Sequence, residues 1–206
     1  IFPNKDEQDT LSYITPSVIT SSLFGFHTPR DTSSTSTNLT WASTANDHGL
    51  QVYAVKSPGE FAEVVTPLSK VKDAYFVVED RQGNTLLTSS IFRNVYENER
   101  WNLSLTIRPK RYPLSDGGLD SSVATTGYEI GLYGVNFDTG VKQNYFNSTA
   151  DLTYTSGSSI INSAKRVYVG AHKTNFTGST ITSTDVRTSS TRYWTDYFSS
   201  AVLDLQ

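Results

Sequence analysis

Residues 101–109 read WNLSLTIRP. Trp101, Leu103, Leu105 and Ile107 fall on one side of an extended chain, and Asn102, Ser104, Thr106 and Arg108 fall on the other. A period of two with one apolar face describes a strand resting on a core. Apolar spacing at i, i+3 and i+4 is absent until the last few residues. A chain patterned this way buries its apolar surface by laying sheet on sheet, so the expected class is all-β.

Similar short runs recur between turn formers. The segments 17–27, 38–43, 50–55, 74–80, 85–92, 128–137, 141–147, 166–171 and 188–198 complete a set of about ten predicted strands. Gly-containing turns separate several of them: TANDHG at 44–49, RQGN at 81–84 and DTG at 138–140. Pro58 and Pro67 confine any helix over residues 60–65. Residues 1–16 are polar, hold Pro3 and Pro16, and read as an N-terminal arm or linker; residues 17–206 form one domain. Residues 28–37 and 110–127 read as polar loops.

Composition explains how so few charges keep such a chain in water. Charged residues make up 18%, and 27 serines and 27 threonines supply the remaining polarity. Threonine also suits pleated, half-buried surfaces, which strengthens the strand reading. The net charge is −3, with no basic stripe to neutralise phosphates, so nucleic acid is not an expected partner. No apolar run approaches the roughly 20 residues of a membrane span. There is no cysteine and no methionine, and the chain starts at Ile1. This predicts a processed chain or a fragment of a longer one, without disulfides or thiolate metal sites.

Several pieces, in order, resemble the laminin-G-like, concanavalin A-like lectin/glucanase superfamily. They are RWNLSLTI after AYFVVEDRQGN, then GLYGVNFDTG, VYVGA, FTG, RYWTDY and FSSAVL, together covering roughly residues 74–206. The resemblance implies an antiparallel two-sheet β-sandwich of jelly-roll type, closed by a short C-terminal helical turn. Ser199 is placed to cap that turn, with Phe198 and Leu203 at hydrophobic-staple spacing. That closure marks the end near Gln206 as a module boundary. The fold hosts lectins, glycosidases, adhesion modules and virion domains, so it leaves activity open.

Residue patterns narrow the choice. Retaining glycosidases need two carboxylates about 5–5.5 Å apart, and no Glu-x-Asp-x-Glu run supplies them. Glu79 and Asp80 are adjacent, hence on opposite faces, and Glu97 and Glu99 precede Trp101 in a turn. His27, His48 and His172 are scattered, and there is no nucleophile elbow or phosphate loop. No catalytic residue is assigned. Calcium, which the resemblance brings into view, wants six to eight oxygens. Asp116 and Asp120 in SDGGLDSS are the candidate ligands, with ordinary turn chemistry as their alternative. Tyr193, Tyr197 and Trp41 are the candidate ligand-binding aromatics, whereas Trp101 belongs with the core. The four Asn-x-Ser/Thr sequons, at Asn38, Asn102, Asn147 and Asn175, are about what this composition yields by chance.

The expectation is a non-enzymatic binding or assembly module without a cofactor. It belongs to a larger virion protein, phage or other, or to an extracellular one. Its partners are other protein subunits, including copies of itself. A glycan-binding lectin-like module is the alternative.

Overall fold

The structure, a computed structural model, describes residues 2, 18–28, 48–57, 70–110, 127–163, 165–173, 180–182 and 184–203. Within them lie ten strands and two helices. The strands are β1 (Thr20–His27), β2 (Gly49–Lys56), β3 (Ala74–Asp80), β4 (Thr85–Thr88), β5 (Trp101–Pro109), β6 (Tyr128–Asp138), β7 (Val141–Leu152), β8 (Arg166–Val169), β9 (His172–Lys173) and β10 (Thr180–Thr182). The helices are α1 (Tyr154–Asn162) and α2 (Ser200–Leu203).

Two antiparallel sheets form a sandwich. The larger has the order β4-β3-β2-β1-β8 and the smaller the order β5-β6-β7, with β9 and β10 as a separate pair. Each main sheet is a meander, and the one neighbour out of sequence is β8 beside β1. The all-β sandwich read from the sequence is the architecture observed.

The alternation in β5 and β2 sets which residues meet. Leu50, Val52 and Ala54 of β2, with Phe76 and Val78 of β3, face Ile130 and Leu132 of β6 and Phe146 of β7 in one core. Phe76 is the bridge between the sheets. Its ring stacks on Phe146 at 5.5 Å and meets Trp101 at 5.0 Å. Trp101 is thus a core residue, as its strand face predicts.

Turn chemistry closes the hairpins. Asp80 accepts hydrogen bonds from the amides of Gln82 and Asn84, at 2.9 and 2.8 Å, and Gly83 adopts φ +83° between β3 and β4. Thr139 and Gly140 both sit at positive φ in the two-residue loop between β6 and β7, the primed-turn geometry that matches strand twist. After β4 the chain returns along β3: Phe92 and Ala74 exchange both backbone bonds, and the Tyr96 amide donates to Lys72. This drives Tyr96 into the core.

Four expectations change. Residues 188–198 form no strand; they run as bends and coil, and the Asp196 carboxylate binds the Tyr197 amide locally at 2.8 Å. Predicted strand 85–92 ends at Thr88, and Phe92 joins Ala74 as an isolated bridge. Helix α1 was not foreseen. Its sequence, YTSGSSIIN, is poor in helix formers, yet Thr153 caps it by accepting from the Ser156 amide, and Ile160 docks in the core. Phe2 lies inside the stretch read as an arm, but it is 4% exposed and packs on Tyr96 and Phe76 at 5.0 and 6.0 Å. Strand 38–43, the helix over 60–65, the long loops and the rest of the arm lie outside the described residues.

Candidate contact face

The smaller sheet turns one face away from the core. The register sets Arg108, Glu129 and Asp151 side by side across it, then Thr106, Gly131 and Thr149, then Ser104, Tyr133 and Asn147, then Asn102, Val135 and Tyr145. Each row joins β5, β6 and β7 in that order. On the central strand β6, Tyr133 and Val135 are buried, whereas the β7 residues of these rows are all exposed.

Charge and aromatic rings organise the two ends of this face. At one end the Arg108 guanidinium grips Glu129 Oε1 through Nε and Nη2, at 3.0 and 2.8 Å. The Tyr197 ring lies 4.4 Å from the same guanidinium. Lys110 pairs with Asp151 alongside, at 2.7 Å. At the other end, Lys142 Nζ donates to the Tyr133 hydroxyl at 3.0 Å and sits 4.5 Å from the centre of the Tyr145 ring. Glu129 and Tyr133 are four residues apart on β6, so the two ends are separated by about 13 Å. Tyr145 is 64% exposed, with Lys142 Nζ over one face of its ring.

Strand β7 is also an edge. Among the described residues its only strand partner is β6, and over its 12 residues only Phe146 is buried. Among the described residues no strand pairs with its outer edge, the position at which a sheet can accept a further strand.

The larger sheet is different on its outward side. There His27, Gln51 and Arg81 are buried, and His27 stacks on Tyr168 at 4.7 Å. Farther along, a groove of about 420 Å³ is lined by Val55, Tyr75, Val77, Thr88, Ile91 and Glu79 among others. Burial, and next the charge of Asp80, raise the Glu79 carboxyl above its ordinary range.

The aromatics singled out in the sequence separate. Tyr197 joins the Arg108–Glu129 end of the face. Tyr193 stands out at 70% exposure, and Trp194 packs edge-on against Phe198 at 5.4 Å. Trp41, Asp116 and Asp120 lie outside the described residues. Among the described residues no three His, Asp or Glu side chains gather as a metal cluster. No described helix is long and apolar enough to cross a membrane. The residues that sequence reasoning passed over, Tyr133, Lys142 and Tyr145, come together only through the β6–β7 register. Continued alternation through residues 141–152 is the signal that would have placed Tyr145 outward.

No family model, no curated protein and no solved structure matches this chain.

Proposed function

We propose that this domain is a non-enzymatic assembly module of a larger structural protein, and that it associates through β7 and the outer face of the smaller sheet. The observation that carries the reading is the twelve-residue strand, paired on one side among the described residues, with an exposed Tyr145 under Lys142. Tyrosine loses little side-chain freedom on contact and joins an apolar ring to a polar tip, which suits a protein interface. An edge unpaired among the described residues adds backbone pairing to the same surface. The low-charge, hydroxyl-rich composition favours a virion protein, with an extracellular one as the other setting.

Sedimentation velocity over a concentration series tests the proposal. The wild type is expected to self-associate, and Tyr145→Ala is expected to weaken association about tenfold, or about 1.4 kcal/mol. A strictly monomeric wild type at high concentration, or association indifferent to both Tyr145→Ala and a proline at Asn147, would refute it.

The groove beside Tyr75 supports a second reading, glycan binding, because it joins an aromatic ring and aliphatic walls to hydroxyls and Glu79. Binding on a glycan array that is lost in Tyr75→Ala and kept in Tyr145→Ala would favour it over the assembly role.

A further inference from the structure

Four polar side chains from distant parts of the sequence meet inside the sandwich. Ser21 comes from β1, Lys56 from the end of β2, Tyr96 from the segment after β4, and Asp185 from the segment after β10. The side chains of Lys56 and Asp185 are each 0% exposed. Lys56 Nζ donates to Asp185 Oδ2 at 3.1 Å. The other carboxylate oxygen, Oδ1, accepts from the Tyr96 hydroxyl at 3.1 Å and from the Ser21 hydroxyl. The Tyr96 ring centre lies 4.4 Å from Nζ and closes the site on that side.

The two carboxyl oxygens therefore have different surroundings. One touches the amine, and the other sits in a cradle of two hydroxyls. Charges are costly to keep in a dry interior, and passing one proton from Nζ to Oδ2 removes both. Burial pushes in this direction: it lowers the pKa of Lys56, against the opposing pull of Asp185. Burial likewise holds Tyr96 protonated, so it remains a donor. In the neutral form of the pair, the form that reacts, an amine touches a carboxyl group whose Oδ1 is already polarised by two hydroxyls.

We infer that Lys56 and Asp185 join to each other in an intramolecular amide bond, formed by the domain itself. The Nζ lone pair attacks Cγ, and the C–Oδ1 double-bond pair moves onto Oδ1, where the Ser21 and Tyr96 hydroxyls hold the negative charge. A second proton then passes from nitrogen to Oδ2, the C–Oδ2 bond breaks, and Oδ2 leaves as water while the C–Oδ1 double bond re-forms. An ammonium and a carboxylate thus become an amide and one water. One N–C bond forms, one C–O bond breaks, and no oxidant or cofactor takes part. The packed site supplies proximity and excludes the water that would reverse the step. Lys56 and Tyr96 are reacting and stabilising groups here, respectively, and Ser21 shares the stabilising role with Tyr96.

Intact mass spectrometry of the full chain, folded by circular dichroism, is the test. The wild type is expected to fall short of its sequence mass by one water. Digestion should then release a branched peptide joining the Lys56 and Asp185 fragments. Lys56→Arg and Asp185→Ala are expected to show full mass. Ser21→Ala and Tyr96→Phe are expected to slow formation, each by roughly 10²-fold as for the loss of an oxyanion donor, read as the unlinked fraction after synthesis. A folded wild type at full mass overturns the inference, and so does a water loss that persists in Lys56→Arg. The deciding measurement needs only the wild type, so a variant that misfolds does not obscure it.

Discussion

Single residues decide how the sheets hold together. Phe76 belongs to the larger sheet, but its ring packs on Phe146 and Trp101 of the smaller one. Phe76→Ala removes contacts on both sides at once and leaves a cavity, so it is expected to cost about 3–5 kcal/mol in denaturant unfolding. Glu79 offers a test by pH. Its folded-state pKa is raised, mainly by burial, so the unfolded chain gives up this proton first. Its contribution is fully present below the ordinary glutamate range and is lost as pH rises through the folded value. Glu79→Gln is therefore expected to be more stable than wild type near neutral pH, with the gap closing in acid. Stability curves at several pH values check this. The sequence made Trp101 legible because period two places it with Leu103 and Leu105. It gave no such cue for Lys56, which looks like a solvated strand end, or for Asp185 in a Ser/Thr-rich stretch. Their partnership spans 129 positions and exists only after folding.

At the scale of elements, local chemistry and tertiary contact contend. The β6–β7 loop was readable from DTG, because positive φ at a hairpin calls for glycine. The Thr139 position is the exception, a β-branched residue at φ 47°. Thr139→Asn is expected to stabilise the hairpin by about 1 kcal/mol, and Gly140→Ala to cost about 1 kcal/mol, both in thermal unfolding. A methyl group at Gly140 meets nothing within 4 Å, so that loss would be conformational alone. Helix α1 was illegible for the opposite reason. Its serines and glycine favour coil, while docking sets Ile160 in the core and brings Gly157 against the Tyr128 ring. Lys165 completes its end by donating to the Ile161 and Ser163 carbonyls. Residues 188–198 failed as a strand because aromatic content alone supplies no neighbour to pair with; Tyr197 found the Arg108 guanidinium instead.

For the whole molecule, alternation and turns were enough to reach a two-sheet sandwich, since each strand's apolar face needs an opposite one. They could not reach the contact face, because Tyr133, Lys142 and Tyr145 meet through register rather than through any motif. The Lys56–Asp185 bond would act at this scale too. Closing a loop of about 100 residues stabilises a fold by about 4.7 kcal/mol in the chain-entropy account. Lys56→Arg cannot form the amide, so it is expected to lose an amount of that order in urea unfolding. The same bond has a mechanical consequence. When load enters the chain before Lys56 and leaves it after Asp185, tension passes directly from one side chain to the other. The chain from Lys56 to Asp185, a separation of 129 positions and roughly 440 Å of contour at about 3.4 Å per residue, would then never extend under force. A structural protein built from such units would lengthen only in the stretches outside the bond, which carry β1 and most of β2, while everything from Lys56 to Asp185 stayed tied at loads that unravel an ordinary sandwich.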